Sequence, residues 1–337
     1  MIKQVIRLVR PGCFLPSFEI EKPQSDKVLV RPTVMSICAA DQRYFMGKRP
    51  KDVLEEKLPM ALIHEAIGTV IHDPTGNYQT GQHVILLPGG EEHGESQSNY
   101  RKDAYFRSSN ADGFCQEMLY CSPEELLAIP EGETECYVFT ELMSVCCHAI
   151  RRVQSVGGMG PRKRIGIWGD GPMGYMMALA VHGLCPENPV TVFGRHDEKL
   201  MLFSFVERQV NVLYSTNLPE TDTAFECVGG EGSTLAIEQI ISAIQPCGTV
   251  ALMGVSEVPP AISTRRVLEK GLLLLGSSRS QRQDFEMARK LIGRPEIYGS
   301  LGKIVSERIA VNSYETLHEA FMADIRNPFR TVMHVGI

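Results

Sequence analysis

The stretch Arg164-Ile165-Gly166-Ile167-Trp168-Gly169-Asp170-Gly171-Pro172-Met173-Gly174 decides the fold. An apolar run of strand type leads into Gly169, Gly171 and Gly174, spaced as G-x-G-x-x-G, and an amphipathic helical stretch follows from 173 to 184. Glycine spacing of this kind is common; its place between a strand and a helix gives it meaning. Gly169 permits a tight turn, Gly171 lets the backbone approach a pyrophosphate, and Gly174 lets helix and strand pack closely. The helix N-terminus, opened by Pro172 and Met173, favours the anion. The stretch is expected to bind a dinucleotide.

The next strand (190–193) ends at Gly194, twenty residues beyond Gly174. A carboxylate at this point would bond the ribose hydroxyls of NAD. Gly194 is followed instead by Arg195, His196 and, a turn later, Lys199, which suit a 2′-phosphate and predict NADP(H). Further strands are expected at 224–228, 249–253 and 272–275, with helices at 233–244 and 264–270. Strand and helix alternating over this length imply a doubly wound parallel sheet. The first 120 residues read as β-rich pieces, with strands at 27–31 and 83–87, breakers at 73–76 and 88–90, and an exposed polar loop over 91–103. Beyond 280, helices are expected at 284–292 and 314–325 and a closing strand at 331–335. The domains so defined are a dinucleotide-binding domain, 143–277, and a discontinuous second domain, 1–142 plus 278–337.

Composition limits what such a chain does. Its 337 residues are 43% hydrophobic and 22% charged, with a formal net charge of −6, close to the soluble globular average. Nucleic acid and anionic membrane are poor partners for this charge balance. No window approaches the roughly 18 apolar residues of a membrane span. Lys3, Arg7 and Arg10 interrupt any signal-like segment, so the expectation is a cytoplasmic protein. Ten cysteines without a single CxxC read mainly as buried small apolar residues.

Three separated segments carry metal-ligand chemistry: Ser36-Ile37-Cys38-Ala39-Ala40-Asp41, Ile63-His64-Glu65-Ala66-Ile67-Gly68 and Thr140-Glu141-Leu142. Each is unremarkable alone. Cys, then His-Glu, then Glu, followed by G-x-G-x-x-G, resembles the zinc-dependent medium-chain dehydrogenase/reductase family. Ile63–Gly68 matches its GHExxG motif with Ile63 in place of the first glycine; Asp112–Glu117 resembles its GxFAEY segment and Glu141–Ala149 its EPLSVGVHA segment. The resemblance implies an α/β chain with a GroES-like β-rich catalytic domain and a Rossmann domain, and an oxidoreductase acting on an alcohol or ketone. It also implies zinc ligands Cys38, His64 and Glu65, with Glu141 a ligand or a partner of zinc-bound water, and Asp41 orienting His64. Zinc takes S, N and O donors tetrahedrally and keeps one position for substrate. Two departures follow. Residues 88–114 lack the cysteines of a structural zinc lobe, so one catalytic zinc and no structural zinc are expected. Ala40 replaces the Ser or Thr that relays a proton in many relatives, leaving water held by Glu65 or Glu141, or the Tyr44 hydroxyl.

Longer phrases, among them Met35–Tyr44, Tyr105–Ser109, Ala224–Gly230 and Gly276–Ser280, are similar to the ribulose-5-phosphate reductases. That resemblance implies reduction of ribulose 5-phosphate to ribitol 5-phosphate by NADPH, coupled to a cytidylyltransferase that makes CDP-ribitol for teichoic acids or capsules. Arg43, five residues after Cys38, is the first candidate phosphate ligand, and Arg49, Arg107 and Arg279, on loop-like segments, are further candidates. A polyol dehydrogenase for an unphosphorylated sugar alcohol, and a metal-free NADPH-binding protein without catalysis, are the alternatives. A homodimer or homotetramer is implied, with 272–275 as a pairing edge.

Overall fold

Alternating buried and exposed residues from Ile2 onward fold as an antiparallel hairpin, β1 (Ile2–Arg10) and β2 (Cys13–Ile20), which buries Val5, Ile6 and Leu8. This computed structural model describes residues 1–89, 98–101 and 104–337; most of the loop expected over 91–103 lies outside the described residues. The chain divides into two units, Met1–Glu141 with Gln281–Ile337, and Leu142–Ser280.

In the first unit the hairpin is followed by β3 (Val28–Ser36), α1 (Ala39–Phe45), α2 (Lys51–Lys57), β4 (Glu65–His72), β5 (His83–Leu86), β6 (Leu119–Cys121) and β7 (Leu126–Ala128). Helix α3 (Thr140–Ser155) begins in this unit and continues in the other. The strand expected at 27–31 runs on to Ser36, through Pro32. Proline is tolerated because the register with β4 shifts between Pro32 and Val34, a bulge that needs no donor there.

The second unit contains β8 (Ile165–Trp168), α4 (Pro172–Leu184), β9 (Val190–Gly194), α5 (Asp197–Leu200), β10 (Arg208–Asn211), β11 (Thr221–Glu226), α6 (Ser233–Ala243), β12 (Ile244–Leu252), α7 (Thr264–Lys270) and β13 (Leu273–Gly276). All six strands pair in parallel, in the order β10-β9-β8-β11-β12-β13, the doubly wound sheet expected from the alternation of strand and helix. Its strand order reverses between β8 and β11, where such sheets bind dinucleotides. Trp168 and Phe193 stack at 3.9 Å in a core shared with Ile240 and Val250. The strand expected at 224–228 stops at Glu226, whose carboxylate accepts the amides of Val228 and Gly229 and turns the chain.

The first unit is completed by α8 (Arg282–Ile292), α9 (Pro295–Leu301), β14 (Val305–Val311), α10 (Tyr314–Arg326) and β15 (Arg330–Val335). Its seven-stranded sheet has the order β14-β15-β3-β4-β5-β7, with β6 also on β3, over a core that includes Ile37, Phe114 and Phe321. Among the described residues no helix is long and apolar enough to cross a membrane.

Candidate active site

Strand register brings the metal-ligand segments together. β3 and β4 pair antiparallel with Ser36 opposite Glu65, so Cys38, just past β3, and His64, just before β4, reach the same end of the sheet. Donor atoms of Cys38, His64 and Glu65 all lie within 4.8 Å of one another, the one such group among the described residues. Asp41 is the hub beneath them, fully buried. Its Oδ1 accepts the Ile63 amide at 3.1 Å and the Ser108 hydroxyl at 2.6 Å, and its Oδ2 accepts the Cys38 amide at 3.2 Å. His64 Nδ1 sits 3.3 Å from Asp41 Oδ2, close enough for charge pairing but off the hydrogen-bond direction. That leaves the other ring nitrogen for a metal.

Glu65 shows whether the group suits zinc. Its Oε1 accepts a bond from Arg330 at 3.1 Å, while the buried Oε2 has no partner. A buried, unpaired carboxylate oxygen is costly unless something charged meets it. With a thiol sulfur and an imidazole nitrogen in the same 4.8 Å group, the donor set fits zinc. Burial opposes the charged form of His64, yet the Asp41 carboxylate and the Cys38 sulfur hold its pKa well above the usual value. Burial pushes the Glu141 carboxyl up to about 7, with Glu65 adding to the rise and His64 and Arg330 opposing it. Glu141 lies in the field of this group and outside the three-donor set.

Three contributors carried no signal in the sequence. Arg330 opens β15, is buried, and also donates to the Ile37 carbonyl; Cys38 and Glu65 hold its charged form against burial. Phe106 lies against the His64 ring at 5.6 Å, and Ser108 bonds Asp41. Both belong to the phrase 105–109, whose resemblance to the ribulose-5-phosphate reductases assigned neither of them a role.

The candidate arginines are placed differently from one another. Arg107 is buried against the rings of Tyr105 and Phe114, 3.9 Å from Glu125, so its charge is engaged within the fold. Arg49 lies over the ring of Tyr44 at 4.9 Å, and Tyr44 is itself buried. Arg43 is half-buried in the last turn of α1. Arg279, in the second unit, has φ of +59°, and burial lowers its pKa.

In the second unit the G-x-G-x-x-G stretch joins β8 to α4. Gly169 has φ of +130°, and a Cβ on Gly174 would collide with the Gly169 carbonyl, so both positions require glycine. Gly171 caps α4, with Pro172 at the first helical position and Met173 after it. Arg195 and His196 are exposed at the end of β9, and Lys199 lies in α5.

The alcohol dehydrogenase GroES-like domain family matches residues 24–131. That domain, with its S, N and O donors, and a Rossmann unit define a dehydrogenase of the zinc alcohol dehydrogenase class. The chain is 44% identical to the ribulose-5-phosphate reductase of Bacillus spizizenii over 96% of each chain. It is 43% identical to ribulose-5-phosphate reductase 1 of Staphylococcus aureus, again over 96% of each. The crystal structure of S. aureus TarJ in complex with NADPH superposes with a TM-score of 0.89 at 38% identity, covering all of both chains. The chain belongs to the zinc-dependent medium-chain dehydrogenase/reductase family.

Proposed function

We propose that the protein reduces the C2 ketone of D-ribulose 5-phosphate to D-ribitol 5-phosphate with NADPH, supplying CDP-ribitol synthesis for teichoic acid or capsule. The observation that carries this reading is the end-to-end match to ribulose-5-phosphate reductases in a chain that keeps the Cys38–His64–Glu65 group.

Zinc, when bound, would supply Lewis acidity toward the ketone oxygen. Cys38, His64 and Glu65 would hold the ion, one per chain. Asp41 fixes the His64 ring, and Arg330 balances Glu65. Phe106 packs against the His64 ring. Gly169, Gly171 and Gly174 seat the pyrophosphate, and Arg195, His196 and Lys199 receive the 2′-phosphate. The proton that completes the alcohol needs a carrier, since Ala40 has none. Glu141 is better placed for this than Tyr44: its carboxyl lies in the field of His64 and Glu65 with a pKa pushed up to about 7, whereas Tyr44 is buried beneath Arg49. Arg43 is the first candidate for the sugar phosphate. A cytoplasmic homodimer or homotetramer, paired through the edge strand β13, and coupling to a cytidylyltransferase complete the reading.

The test is NADPH oxidation with D-ribulose 5-phosphate against free ribulose, each with and without a zinc chelator. Strong preference for the phosphate and loss of turnover on chelation are expected. Preference for free ribulose would make it a polyol dehydrogenase, and undiminished turnover in the chelated protein would remove zinc from the reaction.

A further inference from the structure

We propose that Asp170 and Gly194 form a coupled pair that sets the choice of a cofactor bearing a 2′-phosphate, Asp170 acting as a positioning residue for Arg195 and His196. This rests on the reading that the chain uses NADPH and adds which residues enforce it. Asp170 lies between the first two glycines of the dinucleotide turn, and its side chain reaches the end of β9. Its Oδ2 accepts the amides of Arg195 at 2.7 Å and His196 at 2.8 Å, and lies 3.0 Å from His196 Nδ1. Only 13% of the side chain is exposed. Burial opposes its ionisation, yet the two amides and the His196 ring hold its pKa below the usual carboxylate range.

In a Rossmann sheet that takes NAD, the acid bonding the ribose hydroxyls stands at the end of the second strand. That place is Gly194 here. A Cβ at 194 would come 2.6 Å from Asp170 Cβ, 2.7 Å from its Oδ2 and 2.8 Å from Leu200 Cδ2. A side chain at 194 and the observed Asp170 therefore exclude each other. Space that an NAD-type acid needs is filled by a carboxylate whose Oδ2 is engaged by the loop's own amides. The bonds to Oδ2 also pin two successive backbone positions whose side chains are exposed, Arg195 and His196. Donors held in place before the phosphate arrives lose less entropy on binding it.

The pair is testable on the full chain with 2′,5′-ADP and 5′-AMP, which report on the adenosine half without turnover or zinc. Calorimetric titration of the wild type should show preference for 2′,5′-ADP; its absence would defeat the NADPH reading itself. With that preference established, Asp170→Ala should weaken 2′,5′-ADP by about tenfold and 5′-AMP by less than about twofold, the loss expected when charge-assisted contacts lose their alignment. Asp170→Asn, which keeps the size and one acceptor oxygen, should give a smaller loss in the same direction and covers the case in which the alanine variant folds poorly. Gly194→Asp alone should bind neither nucleotide well. Combined with Asp170→Gly, which also removes the Cβ that would lie 2.6 Å from a side chain at 194, it should recover 5′-AMP binding and prefer 5′-AMP. Equal weakening of both nucleotides by Asp170→Ala and Asp170→Asn would make Asp170 a general support or a ribose ligand. A Gly194→Asp variant that binds 5′-AMP as well as the double variant would show that the positions are uncoupled. Either result overturns the proposal.

Discussion

A buried β-branched residue with φ of +75° stands immediately before the histidine of the metal group. This is Ile63, in the place where the family motif has glycine, and the conformation explains that glycine. L-residues in the left-handed region cost about 1–3 kcal/mol. The Asp41 carboxylate holds the Ile63 amide, and the Phe114 amide donates to its carbonyl, so neighbours on both sides maintain the strain. Restoring glycine would relieve the strain but empty a fully buried site, and losing an Ile side chain costs about 2–5 kcal/mol. Burial wins. Ile63→Gly should lower stability by about 1–3 kcal/mol in urea unfolding, and a more stable variant would show the strain to be the larger effect. Arg330 and Glu65 lie in the same neighbourhood, both buried. Removing one partner of such a pair typically costs about 3–5 kcal/mol, because the other charge stays behind. Arg330→Met should therefore destabilise the zinc-depleted protein by about 3 kcal/mol. Adding zinc should narrow the gap, since the ion becomes the counter-charge for Glu65. A gap unchanged by zinc would argue against Glu65 as a ligand.

Between elements, a pH-dependent clip joins the segment before α3 to two strands of the first unit. Glu135 accepts bonds from Arg308 Nε of β14 at 2.9 and 3.1 Å and lies 2.9 Å from His334 Nε2 of β15. Burial raises its pKa, but Arg308 and then His334 outweigh burial and leave it below its ordinary 4.5. A depressed carboxylate binds fewer protons folded than unfolded, so its stabilisation is fully present above pH 4.5 and is lost as pH falls through the depressed value. Glu135→Gln should melt lower than the wild type from pH 7 down to about 5, and the difference should close on further acidification. A difference that stays unchanged as the pH falls below about 4 would show that the charge is not what stabilises. The same scale explains what the sequence discloses. Strand, glycine turn and helix lie within one run of chain, so the Rossmann unit was readable from pattern. β10 escaped because, of Arg208–Asn211, only Val210 is buried, which leaves no alternation to detect. Arg330 meets Glu65 across 265 residues and Ser108 meets Asp41 across 67. No local spacing encodes such pairs; sheet register and loop placement create them. Cys38 and His64 were found only through a family resemblance, since a lone cysteine and a lone His-Glu pair carry no chemistry until β3 and β4 align.

For the molecule as a whole, the functional groups separate by unit. Cys38, His64, Glu65, Asp41 and Arg330 all lie in Met1–Glu141 with Gln281–Ile337, and the glycine turn, Asp170, Gly194 and Arg195 all lie in Leu142–Ser280. Each unit has its own buried cluster, Ile37 and Phe321 in one and Trp168 and Phe193 in the other. A lesion at the metal group should therefore leave the dinucleotide site intact. Trp168, the chain's single tryptophan, directly precedes Gly169 and supplies an optical reporter of that site. Cys38→Ala should bind less than about a tenth of the wild-type zinc, since one of three protein donors is gone. It should lose ketone reduction with it and yet quench Trp168 with NADPH at the wild-type concentration. Normal turnover in that variant would mean that the metal group is not the catalytic one. Gly174→Ala is the converse, because its Cβ collides with the Gly169 carbonyl in the second unit alone. It should keep wild-type zinc content while NADPH binding falls at least about tenfold, the loss expected where turn and helix can no longer pack. Loss of zinc from Gly174→Ala, or of NADPH binding from Cys38→Ala, would show that the two units depend on each other for their structure.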